Sequence, residues 1–519
     1  MRRPFDTTLT LLFLLALVAP TLDALLRPSA ITDIHRELRN PAPLPALPTT
    51  IAALRSTPAE FDAWFSDHIG LRDHLLRHRS HLYITTFHRS PTSSAILGRS
   101  SWVFPTLMGI LDASRGTTHL TPARLALWQR TLESRRDFTE SLDADYVFAL
   151  APEKPTLYPD FLPAHLAPHP PTALDQFTAH FAVASSFHPV DLRTLLESER
   201  TRDTSTDYTY YPLGTHWTDR ALYRAYAHLL DALTARHPTL APTPLTALHW
   251  TIDPDDGDTW ATNLRMEHTL RQTARVLREI ESDYDCELGR PRGDQTHVVT
   301  RGPDPTRPRL VLFHDSFGDR MRKLFARDFS ECYFCWGAFD PAIVARERPD
   351  VVIELRAERQ LLLDRPAPMV TPGKDPLAPV FERCERVLWR LELERDPVEL
   401  VPVDGASLTR VENGLAARPA EDSSGSFELA GLAYTPGRGL IARVELEAAD
   451  PGMLDLLYMT ARVPRYRRGQ VATASLPAGR SITHIEIDEP DLQGPLRFRF
   501  GRDVRTVVLR ALEVRERGE

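Results

Sequence analysis

The chain has 519 residues, of which 25% are charged, with a formal net charge of −8. A length of that order calls for about two to four domains. The mild acidity excludes a nucleic-acid partner, and a 42% hydrophobic content excludes wholesale disorder.

Arg2 and Arg3 precede an apolar run from Leu9 to Leu22, which ends at Asp23. A positive flank before a short apolar core predicts a signal peptide or an uncleaved membrane anchor over residues 1–28. The positive-inside rule keeps Arg2 and Arg3 in the cytoplasm and exports the rest of the chain. Residues 29–57 are rich in proline and predict a linker. Apolar and aromatic residues then recur at helical spacing from Ala59 to Tyr83. Ala95 to Phe104 predicts a strand pair around Gly98. Thr121 and Pro122 supply a cap and a first-turn proline for a helix to about Leu142. Asp145 to Ala151 is a buried strand with Glu153 and Lys154 beyond its carboxyl end. Thr172 caps a helix over Ala173 to Ser186, and Pro189 to Leu192 is a short strand.

The stretch Tyr210-Tyr211-Pro212-Leu213-Gly214-Thr215-His216-Trp217-Thr218-Asp219 leads into a helix with Leu222, Ala225, Leu229 and Leu233 on one face. His216 then lies just ahead of a helix N-terminus, where the dipole favours neutral imidazole, the form a general base needs. Its alternative is a hydrogen-bonded loop histidine beside a core tryptophan. Asp253 to Pro308 is more polar. It reads as an insertion holding a helix over about Met266 to Ser282.

Leu310 to Phe313 is an apolar run, His314 to Asp319 a polar turn, and Met321, Leu324 and Phe325 resume helical spacing. Ser316 therefore sits where a buried strand turns into a helix, at the carboxyl edge where open α/β sheets bind ligands. Backbone N–H groups of the following turn are candidates for an oxyanion site, and Gly318 allows close backbone approach. A helix-capping role for Ser316 is the alternative. Cys332 to Trp336 and Asp350 to Leu355 are further strands, with a helix over Pro341 to Arg346 between them. Alternation of this kind implies a mainly parallel sheet with helices on both faces.

The four cysteines, Cys286, Cys332, Cys335 and Cys384, are too few for a disulfide scaffold. Cys332 and Cys335 form C-x-x-C, but residues three apart in a strand point to opposite faces and cannot be bridged. No H-E-x-x-H, P-loop or G-x-G-x-x-G occurs, so neither a metal nor a cofactor is expected. After Glu394, short alternating segments separated by Gly, Pro and Asp predict an all-β sandwich.

The Thr215-His216-Trp217 segment and the helix after it, together with His314-Asp315-Ser316-Phe317-Gly318, resemble the SGNH-hydrolase-like O-acetyltransferases of bacterial exopolysaccharide systems, the AlgJ/AlgX type. Asp67 to Arg72, Gly98 to Phe104, Ala151 to Pro163 and Arg348 to Val352 match in the same order, over roughly residues 58–360. The resemblance implies an α/β, SGNH-like domain over residues 58–395, and the β-sandwich read from the alternating segments, a candidate carbohydrate-binding module, fills 396–519. It implies Ser316 as nucleophile and His216 as its base, with Trp217, Lys154, Gly318 and Asp315 as candidate substrate-binding residues. The implied partners are an exported polysaccharide, a membrane-bound O-acyltransferase that donates acetyl, and the inner membrane, which places the chain in the periplasm, anchored or secreted. One position departs from the family. Its motif has an aspartate two residues before the histidine, where this chain has Gly214. Asp219 is the candidate acid in its place, with a helix-start role as the alternative, and Asp207 and Asp191 stand behind it. The reading is thus an O-acetyltransferase or acetylesterase working through a serine acyl-enzyme. Its rival is a non-catalytic polysaccharide-binding scaffold with a degenerate site.

Overall fold

The computed structural model describes residues 2–26, 40–254, 258–278, 285–288, 297–364, 368, 375, 377–391, 393, 400–403, 405–418, 426–449, 452–466, 470–500 and 506–517. The linker part at 29–39, and the end of the insertion's expected helix at 279–282, lie outside them.

The N-terminal apolar run forms the helix Arg2–Leu26. Its window Thr7–Leu26 is 20 residues long with mean hydropathy 2.2, and none of it is buried. That length matches a bilayer core at 1.5 Å rise per residue. The next helical stretch starts earlier than expected and is broken in two, Ile51–His68 and Arg72–Thr85. The break falls at Leu71, whose φ is 58°. Its N–H donates to Asp23 Oδ2 at 2.9 Å.

Eleven described strands come next, before the chain changes character. β1 (Ala95–Leu97) and β2 (Val103–Pro105) form a small antiparallel pair. β3 (Asp145–Ala151), β4 (Val190–Asp191), β5 (Trp250–Asp253), β6 (Ala274–Leu277), β7 (Asp285–Leu288), β8 (His297–Arg301), β9 (Arg309–His314), β10 (Glu331–Trp336) and β11 (Val351–Ala357) complete the set. Seven of them make one sheet in the order β4-β3-β11-β9-β10-β8-β7. The first five are parallel, and β8 and β7 add an antiparallel edge. β9 lies in the middle, paired on both sides, so its carboxyl end opens at the centre of the sheet's edge.

The sheet separates two apolar cores, and alternate residues of each strand enter one or the other. Leu310, Leu312, Ile353 and Ala149 face the helices Arg193–Arg200, Asp219–Asp231 and Arg322–Asp328. Val311, Phe313, Val352 and Phe148 face the helices Pro122–Ser141, Ala173–Ala184 and Pro341–Glu347. Thr121 caps the first of these through Arg124 N, and Thr172 forms a full capping box with Asp175. Cys332 and Cys335 are buried in different cores, on opposite faces of β10, and neither is in a disulfide.

The insertion is not helical where a helix was expected. Residues 266–273 are turns and irregular chain, and Ala274–Leu277 is β6, paired antiparallel with β5. Its downstream strands β7 and β8 extend the main sheet. The apolar side chains that suggest helical spacing pack instead in small clusters, Leu264 and Met266 in one and Ala274 and Val276 in another. Tertiary packing here overrides local propensity.

From Val387 onward every described strand is antiparallel. One sheet runs Ser407–Val411, Gly414–Arg418, Val507–Glu516, Leu440–Ala448 and Gly479–Ile487, with Val387–Arg390 also on Val507–Glu516. The other runs Leu400–Val403, Ser426–Leu429, Leu492–Phe500, Gly452–Thr460 and Val471–Leu476. Their inner faces share one apolar core, as in a sandwich. Val387–Arg390 belongs to it, so the all-β part starts ahead of residue 396.

Candidate active site

Ser316 follows β9 with one residue, Asp315, between them, lies in a tight turn and is half-buried. The turn is held by Asp315, a buried carboxylate whose Oδ1 accepts from Phe317 N at 3.0 Å and whose Oδ2 accepts from Ala357 N at 2.8 Å. Asp315 thus ties the turn to the end of β11 and points into the sheet. Gly318 N donates to Asp315 O at 3.1 Å. The N–H groups of Phe317 and Gly318 are therefore engaged inside the turn, and the oxyanion donors expected from them are not free. Gly318 has an ordinary φ of −84°. Its need is steric, because a Cβ there would stand 2.5 Å from His314 Cβ.

His216 reaches this turn from the loop ahead of the helix Asp219–Asp231. Its ring lies edge-on to Phe317 at 5.1 Å between centroids. Trp217, buried, donates from Nε1 to Phe317 O at 3.1 Å and packs on the same ring at 5.1 Å. The residue after Ser316 is thereby held by both residues of the His-Trp pair. Trp217 braces the turn and offers no open surface to a substrate.

His216 Nδ1 lies 3.1 Å from Asp258 Oδ2. The same oxygen accepts from His216 N at 2.8 Å and Thr215 N at 3.1 Å. Burial alone would raise the Asp258 carboxyl, but His216, by hydrogen bonds and charge, and Lys154, by charge, outweigh it and hold it below the usual carboxylate range. His216 Nε2 is out of contact with solvent and has no hydrogen-bond partner among the described residues.

Asp219, the acid expected from the sequence, does not meet His216. Its Oδ2 accepts from Leu277 N at 2.7 Å and from Arg320 Nη2 at 2.9 Å. It is the first residue of its helix and is held by β6 and the helical turn after Ser316. Asp207 pairs with Arg220 and Asp191 with Arg193. Sequence reasoning misses Asp258, which sits in the acidic run Asp253-Pro254-Asp255-Asp256-Gly257-Asp258. No local pattern distinguishes one acid of that run from another. The tryptophan shortly after it, Trp260, is the one visible hint, since its Nε1 donates to Thr215 Oγ1 at 2.9 Å.

Lys154 is also placed differently from expectation. It is fully buried, and its Nζ donates to the carbonyls of Val103 (2.5 Å), Tyr211 (3.1 Å) and Pro212 (3.1 Å) and to that of Gly214. Burial pushes its pKa down to about 7, against the opposing pull of Asp258. Lys154 fastens the loop that carries His216 and has no donor left for a substrate.

Residues 95–284 match the family model described as an SGNH hydrolase-like domain, acetyltransferase AlgX. The match includes His216 and Asp258 and ends short of Ser316. No curated protein sequence matches the chain. Among solved structures, the O-acetyltransferase domain of Pseudomonas putida AlgJ is 18% identical, with 55% of this chain and 96% of that chain covered and a TM-score of 0.34. Bacillus cereus PatB1 with a sulfonyl adduct is 11% identical, covering 50% and 94%, with a TM-score of 0.38. A DHHW family protein from Eubacterium siraeum is 12% identical, covering 53% and 93%, with a TM-score of 0.37. Over residues 95–284 the α/β part of this chain is thus similar to the SGNH hydrolase-like acetyltransferase domain of AlgX.

Proposed function

We propose that the chain is an envelope O-acetyltransferase that moves acetyl groups onto an exported polysaccharide through an acyl-enzyme on Ser316, with His216 as the general base. The observation that carries this reading is His216 itself. Nδ1 is occupied by a carboxylate, while Nε2 is desolvated, unpartnered and packed beside the residue that follows Ser316. A buried imidazole nitrogen without a partner is costly unless a proton donor is meant to meet it.

In the first half-reaction Ser316 Oγ attacks the acetyl carbonyl of the donor and its proton passes to Nε2. The donor's leaving group departs with that proton. In the second, a sugar hydroxyl gives its proton to Nε2 and attacks the acyl-serine. Ser316 Oγ takes the proton back as the ester forms on the sugar. Water in place of the sugar would make the same site an acetylesterase. The apolar helix Thr7–Leu26 suits attachment to the inner membrane, where a membrane-bound O-acyltransferase would supply acetyl, and the sandwich suits glycan binding.

The test gives the full chain in detergent a small activated acetyl ester and reads intact mass. One added acetyl group is expected on the parent chain and none on Ser316→Ala. The second reading, a polysaccharide-binding scaffold, draws on the engaged N–H groups of Phe317 and Gly318. A folded chain that binds glycans but acquires no acetyl group would replace the enzyme with the scaffold.

A further inference from the structure

The family motif places an aspartate two residues before the histidine, and here that residue is Gly214. The space beside Gly214 is not empty. A Cβ on residue 214 would stand 2.2 Å from the backbone oxygen of Asp258, 2.6 Å from its Oδ2 and 2.7 Å from its Cγ. Real Cβ atoms do not approach backbone oxygen so closely, so any side chain at 214 would expel Asp258. The carboxylate that meets His216 therefore occupies the place a residue-214 side chain would take.

The segment that delivers it is tied to the histidine loop at several points. Gln272 bridges the two strands of chain, accepting from Leu213 N at 2.9 Å and donating to Asp258 O at 2.8 Å. Trp260 N donates to Leu213 O at 2.8 Å. Lys154 binds Gly214 O on the other side. Asp258 Oδ2 then gathers three donors, the N–H groups of Thr215 and His216 and the Nδ1 edge of the imidazole.

We infer that the acid of this site has moved: Asp258, from the segment after β5, is the positioning residue for His216, and it excludes a side chain at 214. The inference rests on Ser316 and His216 being an acyl-transfer pair. By accepting from Nδ1–H, Asp258 fixes the tautomer that leaves the Nε2 lone pair for the proton of Ser316, and it stabilises the imidazolium formed when that proton arrives. Asp219, Asp207 and Asp191 are engaged elsewhere.

The experiment measures steady-state hydrolysis of a small acetyl ester by the full chain in detergent, with thermal midpoints recorded for each variant. Asp258→Asn keeps an oxygen for the two backbone N–H groups and removes the charge. It is expected to lower kcat by about 10²–10⁴-fold with little change in KM. Asp258→Glu is expected to recover part of that loss. Gly214→Ala is expected to lower kcat in the same way, and Gly214→Ala/Asp258→Asn to lose no more than the worse single variant, because both act through one contact. Asp258→Asn within about threefold of the parent, or losses at 214 and 258 that multiply, would overturn the inference. If instead Ser316→Ala and His216→Ala keep full activity, the acyl-transfer reading itself is what fails. Should Asp258→Asn not fold, Asp258→Glu and Gly214→Ala carry the same decision, with equal KM and lowered kcat expected for both and parent-level kcat overturning it.

Discussion

Two buried side chains at the carboxyl end of the sheet hold charge in ways that can be measured. Lys154 places one ammonium among four backbone carbonyls, and removing it takes a donor from each, while Tyr211 O and Pro212 O keep the N–H groups of Gly214 and Val103. An unsatisfied buried polar group costs about 1–3 kcal/mol, offset here by the relief of a desolvated amine. Lys154→Met is therefore expected to destabilise the fold by about 2–4 kcal/mol, read by denaturant unfolding. It should also lower turnover, because the same carbonyls shape the loop ahead of His216. Glu358 follows β11 and accepts from Glu153 N at 2.9 Å and Thr156 Oγ1 at 2.5 Å. Burial, and beside it the charge of Glu153, lift its pKa from 4.5 to about 7. A raised carboxyl pKa favours the protonated folded state. The stabilisation is complete below pH 4.5 and is lost as the pH rises through about 7. The thermal midpoint of Glu358→Gln, compared with the parent, should therefore gain relative to it as the pH goes from 5 to 8. A constant difference across that range would show that Glu358 does not titrate there.

At the scale of elements, the turn between β9 and the next helix carries Ser316, and its shape depends on two contacts. Asp315 pins it to β11, and Gly318 lets it fold back over His314. In Gly318→Ala the new carbon meets His314 Cβ, an atom that rotamer changes cannot move away. The turn must shift by several tenths of an ångström, and Ser316 shifts with it. Since a misplacement of about 1 Å can cost about 10²-fold in rate, a loss of kcat of that order is expected while the sheet stays folded. Circular dichroism with ester hydrolysis would check both halves of the expectation, and an unchanged kcat would show that the turn tolerates the shift. The insertion is the other element that matters. Its segment from 258 to 272 closes over the histidine loop, while its strands β7 and β8 lengthen the sheet.

At the scale of the molecule, an apolar helix, an α/β domain and an antiparallel sandwich succeed one another along the chain. The sandwich meets the α/β part through the helix Pro122–Ser141, where Arg130 lies 3.7 Å from Glu486, and through Asp375, 2.7 Å from His484. The exposed window Thr7–Leu26 is the only described helix long and apolar enough to cross a bilayer. The full chain is expected to enter the detergent phase in a phase-partition assay, and a chain beginning at Asn40 to stay in the aqueous phase. A full chain that stays aqueous would rule out an anchoring role for that helix.

Much of this architecture is legible in local pattern. The strands at Asp145–Ala151 and Ser426–Leu429, the caps at Thr121 and Thr172, and the strand-turn-helix at Ser316 depend on residues close to one another in the chain, and periodicity records them directly. The loop of His216 is legible for the same reason. Local pattern leaves undecided everything that needs two distant segments to meet. Asp258 lies 42 residues from the imidazole it holds, in an acidic run whose members look alike. Lys154 lies 60 residues from Gly214, whose carbonyl it binds, so a lysine that reads as a substrate contact becomes a buried fastener. The N–H groups after Ser316 look free in sequence and are taken up by Asp315 within the turn, while the other oxygen of Asp315 is met by β11, 42 residues away. Spacing along the chain specifies which groups are present. Their protonation, partners and reach depend on desolvation and contact, and those exist only after the sheet, the insertion and the histidine loop have packed together.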